Sequence, residues 1–208
     1  MDLKHILLAA VFATSPAATM ATAAHANESA YTDRDLDACK TLSEEEEGPS
    51  VTLLCAGYKD LPVYFKEGDL RQSQAYGPLS KTYIDSAFET FGPFNHTGAK
   101  IEWRLGASGI PVAAIARWFV ADPEQTNDTD TRYGQVLVVS TVATTENPTS
   151  CVVGYVDALE NKDANTLART VADEEAAGFI CGKSKPQWHG KRGGLAGDPM
   201  HYLPDAVE

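Results

Sequence analysis

The sequence lacks the local signatures by which many enzymes declare themselves. It holds no G-x-S-x-G and no S-x-x-K, so no serine nucleophile is announced by its surroundings. H-E-x-x-H and C-x-x-C are also missing, which removes the zinc-protease and thioredoxin-like patterns. No glycine-rich loop follows a strand and opens a helix, so no phosphate cradle is expected. Histidine is scarce, at five residues in 208. Positive charge is scarce too: 17 lysines and arginines face 29 acidic residues, for a net charge of −12. That balance repels nucleic-acid phosphates and anionic lipid heads and suits cationic proteins or cations. The plainer use of such acidity is solubility. Long apolar runs are missing as well. The nearest, residues 110–120, is interrupted by Arg117, so no membrane span is expected.

What is present begins with an export pattern. Lys4 and His5 give a short basic start, residues 6–13 are apolar, and Ser15 and Pro16 break the run. A small-residue stretch then ends in Ala24-His25-Ala26, which fits an A-x-A cleavage site. Residues 1–26 therefore read as a secretory signal peptide, and the expected destination is the periplasm or the exterior. Leu36-Asp37-Ala38-Cys39 superficially resembles a lipid-attachment box, but it sits among Asp33, Arg34 and Asp35, away from the apolar core. In an oxidising compartment the four cysteines read as two disulfides. The pairing Cys39–Cys55 with Cys151–Cys181 is favoured, because each bond then closes a local loop. Residues 27–182 read as one globular domain, and residues 183–208, rich in Gly, Pro and charge, as an extended or flexible arm.

Periodicity predicts an α+β fold: an antiparallel sheet of about five to seven strands, with one C-terminal helix (163–177) packed on a face. Residues 27–32 read as a loose lead-in, and residues 33–42 and 82–91 as short helices, the last with Thr82 and Asp85 as a capping pair. The clearest strands are 100–105 and 110–121, joined by Gly106-Ala107-Ser108-Gly109. The simplest register sets Leu105 opposite Ile110 and Trp103 opposite Val112, with Trp118 on the same face. Residues 135–143 are apolar on both faces, as in a covered central strand. In the helix, Asp163 is the expected N-cap, Ala164, Leu167, Ala168, Val171 and Ala172 form the buried face, and Gly178 fits the left-handed position after the last turn.

Candidate sites are few, and each has a structural alternative. Arg117 interrupts an apolar strand on the face opposite Trp118. It can anchor an anion or carboxylate, or pair with a neighbouring strand. Arg104 and Glu102 share the polar face of the hairpin and can join Arg117 in a charged ladder. His96, in a loop after a Pro turn, is the one histidine suited to acid–base work. Trp188 stands among Lys185, Lys191 and Arg192, and either meets a partner or folds back onto the body. Asn127-Asp128-Thr129-Asp130 offers oxygen ligands but fails the calcium-loop pattern, since Arg132 and Tyr133 fall where a ligand and glycine are needed. No metal or other cofactor is expected. Together these readings favour an exported, non-enzymatic protein that acts by binding, with a cationic protein such as a lysozyme as the partner class. A hydrolase assembled from dispersed loop residues near His96, and a structural envelope component, are the alternatives.

Overall fold

The computed structural model describes residues 28–45, 48, 50–125 and 132–204. The expected signal segment, part of the acidic turn at 44–47 and the loop at 127–130 lie outside the described residues. In chain order the elements are β1 (Glu28–Asp33), β2 (Lys40–Glu45), β3 (Ser50–Ala56), β4 (Pro62–Gly68), β5 (Arg71–Tyr76), α1 (Lys81–Ser86), β6 (Phe88–Phe91), β7 (Asn95–Leu105), β8 (Pro111–Ala121), β9 (Tyr133–Thr141), β10 (Val152–Asp157), α2 (Ala164–Glu175), β11 (Gln187–His189) and β12 (Pro199–Tyr202). The fold is α+β. A six-stranded sheet runs β1-β7-β8-β9-β10-β11, a four-stranded sheet runs β2-β3-β4-β5, and β12 pairs with β6. All described pairings are antiparallel except β10 with β11.

The period of two along β8 sorts its side chains onto two cores. Ala113 and Ile115 join Leu137 and Val139 under α2, where Ala164, Ala168, Val171 and Ala172 let the helix approach closely. Ala114 faces the other way, with Trp103 and Ile101, and packs on Val63, Phe65 and Tyr76 of the four-stranded sheet. Trp118 and Val120 continue that second face against Phe91 and Ala196. The six-stranded sheet is thus a middle layer. This is why Val136, Val138 and Val139 of β9 are all buried.

Several local expectations give way to tertiary structure. Residues 28–33 are not a loose lead-in: they form the edge strand β1 on β7. Residues 33–42 hold only a single 3-10 turn, Leu36–Ala38, before β2 begins. The helix expected over 82–91 stops at Ser86, and Phe88–Phe91 is a strand. Its N-cap is Ser80, whose Oγ accepts from the Tyr83 N–H at 3.1 Å. Lys66 Nζ closes the other end, donating to the carbonyls of Ile84 at 2.8 Å and Ala87 at 3.0 Å. The central hairpin keeps its predicted faces but shifts register. Leu105 opposes Pro111 and Trp103 opposes Ala114, with an irregularity between Arg104 and Leu105. Asp163 stands at the N-cap of α2 without a side-chain hydrogen bond. Gly178 does not take the left-handed conformation, and a 3-10 turn, Ala176–Gly178, tightens the helix exit instead.

Both disulfides form in the favoured pairing, Cys39–Cys55 and Cys151–Cys181, leaving no free cysteine. No helix among the described residues is long and apolar enough to cross a membrane. Residues 183–204 lie on the body, where they supply β11 and β12 and the 3-10 turn Gly194–Ala196 between them. A Cβ added to Gly134 of β9 would meet the Leu195 carbonyl oxygen at 1.9 Å, so only glycine lets this last segment lie so close.

Candidate binding site

The helix α2 covers only part of its face of the sheet. Beyond it, the same alternation that buries Ala113 and Ile115 brings Arg117 and Phe119 of β8 to the surface side. Register places His96 of β7 opposite Phe119, and Gln135 of β9 on the other flank of Phe119. Tyr133 lies two residues further along β9. The His96 ring stacks on Phe119 with centroids 4.9 Å apart and planes at 13°, and Tyr133 meets the imidazole edge-on at 5.2 Å. Arg117 Nη1 donates to Gln135 Oε1 at 2.9 Å. Gly98 leaves open the space a side chain would fill, over Phe119 and the Arg117 stem: its missing Cβ would sit 3.6 Å from the Phe119 ring.

This face runs into an open cleft of about 690 Å³ at the end of the sheet, lined by Leu70, Arg71, Phe94, His96, Asp122 and Tyr133. Its rim exposes apolar surface, with Leu70 58% and Phe94 48% accessible. Leu70 is held outward by a turn in which it and Asp69 both take positive φ. The charges in the cleft are compensated. Arg71 pairs with Asp69 and lies 5.1 Å over the Phe94 ring, and Asp122 accepts from Arg132 at 3.2 Å.

Burial pushes the His96 pKa below its ordinary value. Among the described residues no carboxylate or nucleophilic side chain hydrogen-bonds to its ring. A proton NMR titration of the His96 ring is expected to give a midpoint below about 6.5. The sign for stability follows. The unfolded chain binds more protons than the folded one below about 6.5, so stability is full above that value and declines as pH falls toward the folded pKa. His96→Asn is expected to remove that part of the slope; an unchanged slope would assign it to other groups.

The other two sequence candidates lie elsewhere. Arg104 sits beneath α2, where Nε and Nη2 donate to the two oxygens of Asp173 at 2.9 and 2.6 Å. Glu102 accepts from Arg169 Nε at 2.6 Å, and Ser29 of β1 bonds to both Glu102 and Arg104. Arg117 is not part of this ladder. Trp188 is folded back: it packs on Tyr155 at 5.1 Å, with the Arg192 guanidinium 4.6 Å from its ring centroid.

One cluster carries no local signal in the sequence. The buried Glu89 accepts from the Val152 N–H at 2.8 Å and bonds to His201 Nδ1 at 2.7 Å, while His201 Nε2 stands 3.1 Å from the Tyr155 hydroxyl. Burial and the Glu89 charge raise the Tyr155 pKa far above its ordinary value. The relay fastens β12 to β6 and β10. Phe119 and Tyr133 as partners of His96, and Gln135 as the partner of Arg117, carry no local signal either, although residue parity along β8 puts Phe119 on the Arg117 side. No protein-family model matches the chain, and no curated protein or solved structure matches it.

Proposed function

We propose that this is an exported protein that acts by binding, through the uncovered end of the six-stranded sheet and its adjoining cleft. The observation that carries this reading is the surroundings of His96. They are aromatic rings and exposed apolar rim residues, the composition of a contact surface rather than a catalytic one. A general base needs an orienting partner and a proton within reach, and among the described residues His96 has neither. That weighs against the hydrolase. The two disulfides support the oxidising compartment, whether periplasm or exterior.

The net charge still favours a cationic partner, a lysozyme among them, at long range. The cleft itself adds nothing to that preference, because Asp69 and Asp122 are each engaged by an arginine.

Binding of small ring-bearing fragments to the isotopically labelled protein tests the reading. The amides of Phe94, His96, Phe119 and Tyr133 are expected to shift first and saturably. Shifts centred elsewhere would overturn it. Turnover of a 4-nitrophenyl ester that His96→Ala abolishes would install the hydrolase in its place.

A further inference from the structure

We infer that Arg117 is the anchor for a carboxylate, and that the molecule carrying it is a small, singly charged acid whose ring lies on the Phe119–His96–Tyr133 cluster. The inference rests on the binding reading above and names its ligand class.

Charge accounting singles Arg117 out. Arg71, Arg104, Arg132, Arg169 and Arg192 each pair with a carboxylate. Arg117 has none among the described residues, although 29 acidic residues surround it in the chain. Arg34, the other arginine without a carboxylate, is enclosed between the sheets, bonded to Thr97 and laid over Phe65. Arg117 is different because it is half-buried at an open face. Among the described residues its one side-chain hydrogen bond goes to the neutral Gln135, which leaves four of the five guanidinium N–H donors without an acceptor there. Holding a partly desolvated cation without a counter-charge is unfavourable, and a bound carboxylate reverses that cost. The Gln135 amide accepts from Arg117 through Oε1, and among the described residues its Nε2 donates to no protein acceptor. It is therefore a second donor beside the fork.

The dimensions fix the size of the ligand. Neighbouring strands lie about 4.8 Å apart, and same-face residues two positions apart along a strand are separated by about 7 Å. The cluster spans β7, β8 and β9 and one such step, so it measures roughly 10 by 7 Å, room for one or two rings. The step from Arg117 to Phe119 separates their backbone positions by about 7 Å, so the anchor and the rings are neighbours on one face. The gap at Gly98 lets a flat group reach both the Phe119 ring and the arginine stem. One guanidinium balances one charge, and a body with a net charge of −12 disfavours a polyanion.

The test uses phenylacetate and its neutral isostere phenylacetamide as probes, read by amide and Arg117 Nε–H shifts in wild-type protein, Arg117→Gln and Arg117→Lys. Wild-type protein is expected to bind the acid about tenfold or more tighter than the amide. Arg117→Gln should erase that preference by weakening the acid far more than the amide. Arg117→Lys should restore part of it, since it keeps the charge and loses the planar fork. Equal binding of acid and amide by wild-type protein would overturn the anchor and leave the binding face standing. If neither probe shifts the face at millimolar concentration, both readings fall. Should Arg117→Gln not fold, the acid-to-amide ratio in wild-type protein decides the matter alone.

Discussion

Asp173→Ala is expected to destabilise the protein by about 3 kcal/mol, the lower end of what breaking a buried ion pair costs. The Arg104 side chain is only 6% exposed, and it relies on both oxygens of Asp173. Removing the carboxylate strands a cation under α2. Glu102 stands 3.7 Å from the same guanidinium and offsets part of the loss, which keeps the effect from the upper end. The measurement is the urea midpoint at unchanged slope. Combining Asp173→Leu with Arg104→Met should recover much of the stability, because both charges of the pair go together and Glu102 keeps Arg169 as its partner. The result also bears on function. A loss below about 1 kcal/mol would mean that Arg104 does not depend on Asp173, and would reopen it as a ligand-binding cation. A large loss leaves Arg117 as the cation available to a ligand.

The second large effect concerns the Cys151–Cys181 bond. It closes a 30-residue separation and joins the start of β10 to the exit of α2. Replacing both cysteines with serine is expected to cost about 3–4 kcal/mol in the chain-entropy account, against about 3 for the 16-residue loop of Cys39–Cys55. Wild-type protein in excess thiol reductant should lose as much as the two pairs combined. If the reduced protein unfolds at the oxidised midpoint, the bonds are incidental and the argument from compartment weakens. The Cys151–Cys181 loss should also surface at Trp188, because the segment that seats it on Tyr155 begins directly after Cys181. Trp188 fluorescence is therefore the probe to follow.

Where the sequence reading succeeded, a strong local pattern coincided with burial. The alanine face of α2, the Trp103–Trp118 face of the hairpin, the position of Arg117 and the disulfide pairing all follow from periodicity or loop length. It failed where distant residues decide. The helical spacing of Ile84, Ala87, Phe88 and Phe91 suggests one helix over 82–91. Lys66 ends it after Ser86 by taking the carbonyls there, and Phe88–Phe91 then pairs with β12. Glu28–Asp33 has no clean alternation because β1 is an edge strand. What holds it is β7 and the Trp103 indole N–H, which donates to Thr32 Oγ1 at 2.9 Å. The hairpin register slipped because an irregularity beside Gly106 cannot be read from alternation. The ring cluster needed three strands to be aligned, and Tyr133 read as the end of a loop. No spacing rule connects Glu89 to His201, 112 residues away.

That last separation, with the 71 residues between Thr32 and Trp103, has a consequence in time. The first described strand waits for the seventh, and the sixth waits for the twelfth. The meanders β2–β5 and β7–β10 close from consecutive segments, but β1 and β6 find their partners only after β7 and β12 have been made, and such distant pairing is slow. The outermost pairings, β1 on β7 and β12 on β6, are therefore expected to be the last to form.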